Sequence, residues 1–259
     1  MQDDYRDEPR ERFAPLTATD YARFYDLEMA DYDEDAAFYH NFLAGNEAVL
    51  EVGCGCGRLG WRLAAMGHQV IGIDNSLPML RQTSNQARPG FTAIAMDMRR
   101  LAFGKCFSVV IIAHNTLNLL DSEAEIRQTL AACRVALVAG GRLLLHLLLP
   151  ETPTPSERHM QFRMMPLPQG GQLLKEIIRH YASDGDTMLL TERYKYRPSA
   201  GRAAFRNYQH RMTLLAWSPE RWRHLFAETG WRIRFFSVDE PRRFPFATGR
   251  ALLVVLEKH

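Results

Sequence analysis

The residues of this chain whose types and spacing could do chemistry stand at the ends of short apolar runs. Gly53, Gly55 and Gly57 alternate directly after Leu50-Glu51-Val52, and Gly60 follows shortly after. Glycine lacks the Cβ that would fill the space beside the backbone and tolerates positive φ, so such a turn suits a ligand lying against the main chain. The amides beyond it open a helix whose N-terminal end favours negative charge. Further on, Asp74 and Asp97 each close an apolar run with a carboxylate, and the run that begins at Phe107 ends in His114-Asn115-Thr116. Carboxylates accept hydrogen bonds from hydroxyls and amines, and an imidazole titrates near neutrality. The set could therefore hold a polar cofactor and move a proton.

Two ligand templates fit the glycines. Gly55, Gly57 and Gly60 match G-x-G-x-x-G, with Asp74 near the spacing of about 20 residues expected of dinucleotide sites. Glu51, Gly53, Gly55 and Gly57 instead read E-x-G-x-G-x-G.

The elements that must position these residues alternate between strand and helix. Strands are predicted at 48–52, 69–74, 91–97, 107–115 and 142–149, with helices between them at 77–88 and 123–138 and a stop at Ala139-Gly140-Gly141. Alternation at this spacing implies parallel pairing with right-handed crossovers, and continuous apolar strands imply that both faces are covered. The fold expected is α/β, a doubly wound sheet, whose ligands bind beyond the carboxyl ends of the strands. Gly53, Asp74, Asp97 and His114 all fall there.

Residues 1–16 read as a polar arm. Thr19-Asp20 then caps a helix carrying Tyr21, Tyr25, Met29 and Tyr32 near helical spacing, either packed on the core or closing over a ligand. From Pro150 the alternation breaks. A proline-rich, irregular stretch at 151–169 precedes strand-like runs at 172–181, 187–197 and 205–216, the first two joined by Ser183-Asp184-Gly185-Asp186. Ser218-Pro219-Glu220 opens a last helix, and strands at 231–238 and 250–257 flank a loop with Pro241 and Pro245. The organisation expected is an N-terminal arm with lid helices over 1–44, a core from 45–150 and 218–259, and an inserted antiparallel β cap over 151–217.

The chain is 259 residues long with a formal net charge of +2, so no overall basic field argues for nucleic acid. Among its basic residues only four are lysines, Lys105, Lys175, Lys195 and Lys258. No apolar run approaches the ~20 residues of a membrane span, and the charged N-terminus lacks a signal-type apolar segment. Cys54, Cys56, Cys106 and Cys133 form neither a C-x-x-C pair nor a disulfide-like spacing, which suggests a reducing, cytoplasmic setting.

From about Tyr21 onward the sequence resembles the class I S-adenosylmethionine-dependent methyltransferases of bacterial small-molecule type. The resemblance rests on E-x-G-x-G-x-G, on Asp74 followed by Asn75-Ser76-Leu77-Pro78-Met79-Leu80, on Asp97 after the third strand, and on Gly140-Gly141 before the fifth. It implies a seven-stranded, mostly parallel sheet whose last strand runs antiparallel between its neighbours. It also implies S-adenosylmethionine as cofactor, S-adenosylhomocysteine as product and no metal. By the same resemblance the cofactor is held by Tyr25, Glu51, Gly53, Cys54, Gly55, Asp74, Asn75, Met79, Asp97, Met98 and His114. Asp74 would take both ribose hydroxyls, Asp97 the adenine amino group with Met98 beside it, and Leu77 and Met79 the adenine face. Glu51 would meet the methionine amino group, and Tyr21 and Tyr25 would close over that end. The dinucleotide template loses ground because no Tyr-x-x-x-Lys pair exists and such a fold needs neither Asp97 nor the terminal strand pair.

The acceptor is read from the fourth strand and the insertion. The segment Ala113-His114-Asn115-Thr116 carries neither the Pro-Pro-aromatic signature of base amine methylation nor a carboxylate that would suggest a magnesium site. The expected acceptor is a small molecule methylated at N or O, with Tyr21, Tyr194, Tyr208, His210 and Arg211 as candidate acceptor residues. Strand alternation puts Tyr208 and His210 on one face and Arg211 on the other. His114 is the candidate base, although many such enzymes use none. Methylation of RNA or protein, a non-catalytic cofactor-binding protein, and a homodimer all stay open.

Overall fold

A computed structural model describes residues 12–45, 47–84, 89–150, 159–167, 170–183, 185–200, 204–239 and 250–258. The polar stretch before Arg12, the helix end expected at 85–88, Pro153, Pro155, Asp184 and the Pro241–Pro245 loop lie outside these residues. In chain order the elements are β1 (Ala14–Pro15), α1 (Ala18–Met29), α2 (Glu34–His40), β2 (Ala48–Val52), α3 (Arg58–Ala65), β3 (Gln69–Asp74), α4 (Leu77–Ser84), β4 (Phe91–Ala95) and β5 (Phe107–Ile112). After a 3-10 turn at Thr116–Leu119 come α5 (Glu123–Ala136), β6 (Leu137–Leu148), β7 (His159–Pro166), β8 (Gly170–Tyr181), β9 (Thr187–Ser199) and β10 (Arg206–Leu215). The chain closes with α6 (Pro219–Glu228), β11 (Trp231–Asp239) and β12 (Ala251–Lys258).

Seven strands form the main sheet in the order β11-β12-β6-β5-β2-β3-β4. β2 through β6 run parallel, and β12 is antiparallel to both β6 and β11. The strand order reverses at β2, so a crevice opens between the carboxyl ends of β2 and β5, where the first glycine turn and His114 follow. Apolar side chains cover both faces. On one, the rings of Trp217, Trp222 and Phe226 lie in sequence 4.8 and 5.8 Å apart and share a cluster with α5 and β6 residues. On the other, Tyr39, Leu59 and Leu63 pack over Val49, Val109 and Ile111. Each such buried side chain contributes about 1.5–3 kcal/mol relative to exposure, before entropy is counted.

Three helices, α1, α5 and α6, start at side-chain caps. Ser122 accepts from the Glu125 amide and Ser218 from the Arg221 amide, each at 3.3 Å, with Pro219 in the first turn of α6. For α1 the cap is Thr17, which accepts from the Asp20 amide at 3.1 Å, rather than Thr19 or Asp20. Helix α5 also stops earlier than expected, at Ala136. Gly140, at φ +68°, and Gly141 lie inside β6 instead, where Phe107 pairs with Leu137 and Val109 already with Arg142. The glycines therefore form a bulge in the strand rather than a helix stop.

A second sheet, ordered β1-β10-β9-β8-β7, holds the segment expected to be a cap. It has five strands, not three. β7 falls within the stretch read as irregular, and β1, from the expected arm, pairs in parallel with Tyr208 and Gln209. Prolines misled there because an edge strand tolerates them. Asn118, fully buried, ties the two sheets together: its amide donates to the carbonyls of Leu148 and Leu215, and its Oδ1 accepts from the Leu148 amide at 3.0 Å. Leu148 ends β6 of the main sheet and Leu215 ends β10 of the second. Among the described residues, no helix is long and apolar enough to cross a membrane.

Candidate functional site

The turn after β2 is braced from the next strand. The amides of Gly53 and Cys54 donate to the Ile73 carbonyl, at 2.8 and 2.9 Å. Asp74 then accepts from the Gly55 amide through Oδ2 and from the Ser76 amide through Oδ1, both at 2.8 Å. One carboxylate thus shapes both the glycine turn and the start of α4. An ionised carboxylate has about four acceptor positions, so two remain for a ligand diol.

Gly53, Gly55 and Gly57 all have positive φ, at 74, 54 and 80°, but only the first two face the ligand side. A Cβ at Gly55 would meet nothing closer than the Tyr25 ring at 3.9 Å, so that side is open. At Gly53 it would strike the Thr116 side chain at 2.2 Å, and at Gly57 and Gly60 the Phe91 ring at 2.7 and 2.3 Å. Gly57 and Gly60 are therefore small so that α3 can sit down on β4, not so that a cofactor can approach.

A cavity of about 550 Å³ opens beside this turn, within the range of about 300–1,000 Å³ usual for small-molecule sites. Gly53, Gly55, Asp74, Asn75, Met79 and Met98 form one half of its wall, joined by Ile73 and Met96. This half offers an apolar slot of three methionines, an acceptor pair for a diol and open space beside the Gly55 backbone. That donor set fits S-adenosylmethionine, whose adenine, ribose and amino-acid portions require those three environments.

Other expected cofactor residues stand elsewhere. Asp97 is off the wall, its carboxylate gripped by Arg99, with Nη2 2.7 Å and Nε 3.0 Å from its oxygens and the Arg99 amide at 2.9 Å. These bonds hold its carboxyl below the usual range, and Arg99 extends to Glu125. The flanking Met96 and Met98 face the cavity in its place. Leu77, expected at the adenine face, is 55 % exposed. Cys54 and Glu51 are buried under the turn rather than on the cavity wall. Burial pushes the Glu51 carboxyl up to about 8, against a lowering pull from Arg58, and Oε2 has no hydrogen-bond partner among the described residues. Arg58, the first residue of α3, is bound by both guanidinium ends to Asp35 at 2.6 Å, which ties α2 to the turn.

His114 and Asn115 follow β5 with φ of 49 and 62°, a left-handed pair costing on the order of 1–2 kcal/mol each for non-glycine residues. The Asn115 amide donates to the His146 carbonyl at 3.0 Å and holds the bend. Such over-determined strain is typical of functional sites. His114 is on the cavity wall as the sequence suggests, near the rings of Tyr25, Tyr32 and His146. Burial, His146 and Arg58 together lower its pKa to about 3, so the ring is neutral at physiological pH.

The other half of the cavity comes from α1 and the second sheet. Tyr21 and Tyr25 line it, and burial raises both phenols. His210 stacks on Tyr21 with ring centres 4.2 Å apart. Tyr194 and Tyr208 instead pack around Phe24, at 5.3 and 6.2 Å, in an apolar cluster off the wall. Arg211 is exposed on the far face, as alternation requires.

Three wall residues escaped the sequence reading. Lys175 on β8 lies 2.6 Å from Glu28 of α1 and 2.5 Å from Glu192 of β9, all three nearly inaccessible to solvent. Burial alone would neutralise Lys175, but Glu192 and Glu28 outweigh it and raise its pKa; the converse balance, led against burial by Lys175, brings Glu192 down to about 2. The signals were present. Glu192 interrupts the apolar face Met188-Leu190-Tyr194, Lys175 is one of four lysines, and Glu28 continues the spacing of Tyr21 and Tyr25.

Known proteins place this architecture. Residues 49–141 match the family model described as a methyltransferase domain. A Geobacillus protein named as a methyltransferase is 34% identical over 139 residues, 50% of this chain and 56% of that protein. The mouse eEF1A lysine and N-terminal methyltransferase is 29% identical over 44% of this chain and 18% of its own length. The matches thus span about half or less of these relatives. Among solved structures, an amino pentose methyltransferase from Micromonospora echinaspora, with S-adenosylmethionine bound, superimposes with a TM-score of 0.73 at 22% identity, covering 96% of this chain and all 100% of that one. A sugar N-methyltransferase from Streptoalloteichus gives 0.71 at 19%, covering 100% and 99%. At such identities the likeness is one of fold, and it extends through the second sheet. Residues 49–141 are therefore similar to a methyltransferase domain, and the chain has the class I fold seen in the S-adenosylmethionine-dependent methyltransferases.

Proposed function

We propose that this protein transfers a methyl group from S-adenosylmethionine to a small-molecule acceptor and that, of the N and O acceptors the sequence leaves open, it takes an amine nitrogen. The observation that carries the reading is one cavity with two unlike halves: the glycine turn, Asp74 and methionines on one side, and a ring of polar cap residues on the other. Room beyond the cofactor half argues against a protein that only binds the cofactor. Of the charged acceptor-side wall residues, Glu28 and Glu192 outnumber Lys175, a surplus that favours a cationic or amine-bearing molecule over a phosphate-rich one. The structural neighbours named as an amino pentose methyltransferase and a sugar N-methyltransferase are in keeping with this.

Bound there, S-adenosylmethionine would supply a methyl carbon already activated by the sulfonium. The chain's own work is then positioning, exclusion of water and handling of the acceptor's proton. Asp74 and the open backbone at Gly55 would fix the cofactor, while Tyr21 and Tyr25 on α1 roof the cavity and shield it from water. The test is incubation of the full chain with methyl-labelled S-adenosylmethionine and, separately, small amines, their hydroxyl counterparts, bulk RNA and protein. Label in the amine fraction is the expected result; label confined to RNA or protein would overturn the assignment.

A further inference from the structure

His114 and His210 both face the cavity, and only the second is placed to carry a proton out of it. We infer that His210, oriented by Glu192, accepts the proton from the acceptor's nucleophilic atom, and that His114 does not. The inference rests on the methyl-transfer reading above.

Position comes first. His210 and Glu192 are directly paired across β10 and β9, so their side chains share a face. Nδ1 lies 3.5 Å from Glu192 Oε2, longer than a formed hydrogen bond, as is common before a substrate arrives. The carboxylate favours a proton on Nδ1, which leaves Nε2 as the basic nitrogen. Lys175 occupies the other oxygen of Glu192, keeping that carboxylate ionised and aimed.

Escape comes second. The His210 side chain is 31% exposed and that of Glu192 6%, so the imidazole joins the closed cavity to solvent and can release what it takes up. His114 has no such route: its ring sits among Tyr25, Tyr32 and His146, and the low pKa noted above fits that enclosure. The groups facing His210 are Tyr21 and, behind it, Glu28 from α1, Glu192 from β9 and Lys175 from β8; β1 beside β10 brings only Ala14 and Pro15. Of these, the Glu192 carboxylate is the one whose oxygen lies beside the His210 Nδ1.

The step balances simply. An ammonium N–H bond of the acceptor breaks as the Nε2–H bond forms, and the freed nitrogen pair bonds the methyl carbon while the carbon–sulfur pair leaves with sulfur. The imidazolium, held against Glu192, then passes its proton to water.

The test uses the full chain with S-adenosylhomocysteine bound and histidines labelled with nitrogen-15. Nuclear magnetic resonance follows each imidazole with pH in wild type and in Glu192→Gln, or in Glu192→Asp where the first does not fold. Expected is a neutral ring at position 210 with its proton on Nδ1 in wild type and a larger share of the Nε2–H tautomer in Glu192→Gln, while the His114 ring stays neutral throughout. With any small primary amine that is turned over, log kcat/KM should rise along the His210 titration. His210→Asn should lose roughly 100- to 10,000-fold in kcat/KM with S-adenosylhomocysteine affinity held within about twofold, a split that a merely structural histidine would not produce. A His210 ring indifferent to Glu192→Gln, or an activity limb that follows His114, would overturn the inference. If no amine is methylated, the acceptor assignment fails while the titration still decides the Glu192–His210 pair.

Discussion

Replacing Asp74 by Asn is the most informative perturbation of the cofactor half, because the side chain keeps its shape and loses its charge. In the wild type both oxygens accept a backbone amide at 2.8 Å, one from Gly55 and one from Ser76. Asparagine can offer its oxygen to only one of them and must turn its NH2 toward the other donor. One charge-assisted bond is therefore lost, worth about 1.5–3 kcal/mol. At about 2–4 °C per kcal/mol for a chain of this size, the melting temperature should fall by roughly 3–12 °C. The diol of the cofactor would lose a charged acceptor as well, so affinity should drop by roughly 10- to 150-fold per contact. Calorimetry with S-adenosylhomocysteine and thermal unfolding of the same preparation separate the two effects. A lowered melting temperature with affinity unchanged would make Asp74 a brace for the turn and nothing more, and the ribose assignment would be wrong.

Other perturbations probe different parts of the molecule. At Gly55 an added Cβ faces open space whereas at Gly60 it would lie 2.3 Å from the Phe91 ring; Gly55→Ala should therefore cost cofactor affinity with about 1–2 kcal/mol of backbone strain, and Gly60→Ala should lower stability first, as calorimetry and denaturant unfolding would reveal. Lys175→Met should destabilise by about 3–5 kcal/mol by leaving Glu28 and Glu192 buried without their counter-ion, with recovery when both glutamates become Gln; a loss under about 1 kcal/mol in urea titrations would contradict this. Glu51 is held protonated by burial up to about pH 8, so the folded state binds a proton that the unfolded chain releases near pH 4.3. Its contribution to stability is full below the unfolded value and falls as pH rises toward 8. Glu51→Gln should flatten that limb and gain stability relative to wild type between pH 5 and 9, by up to a few kcal/mol; parallel limbs in the two proteins would count against it.

The cofactor half was legible where local pattern and backbone geometry coincide. An apolar strand, a glycine turn and an acidic strand end lie within one short stretch of chain, so the order of residues alone assigns Gly53, Gly55 and Asp74 to one crevice. The parallel pairing of the central strands follows from the same short-range logic, and the antiparallel last strand from the family resemblance. Direction of side chains did not. Asp97 was legible as a strand-end carboxylate, but its partner Arg99 and the third member, Glu125 on a distant helix, turn it away from the cavity. Gly57 and Glu51 belong to the motif in sequence and to the packing of α3 on β4 and β2 in space.

The acceptor half was decided by tertiary structure. Glu28, Lys175, Glu192 and His210 come from α1 and three strands, with 147 positions separating Glu28 from Lys175, and no periodicity links them. Taken singly, each is an amphipathic side chain on an otherwise apolar face. Only when β8, β9 and β10 pair, and α1 is laid across them by Phe24 packing on Tyr194 and Tyr196, do Glu28, Lys175 and Glu192 meet out of solvent with His210 at their edge. Sequence by itself brought Gly53, Gly55 and Asp74 to one crevice, because that wall is built from backbone turns within one stretch of chain. Long-range pairing and burial determined what stands opposite it, because the energy of a buried charge depends on partners that the chain brings together only on folding.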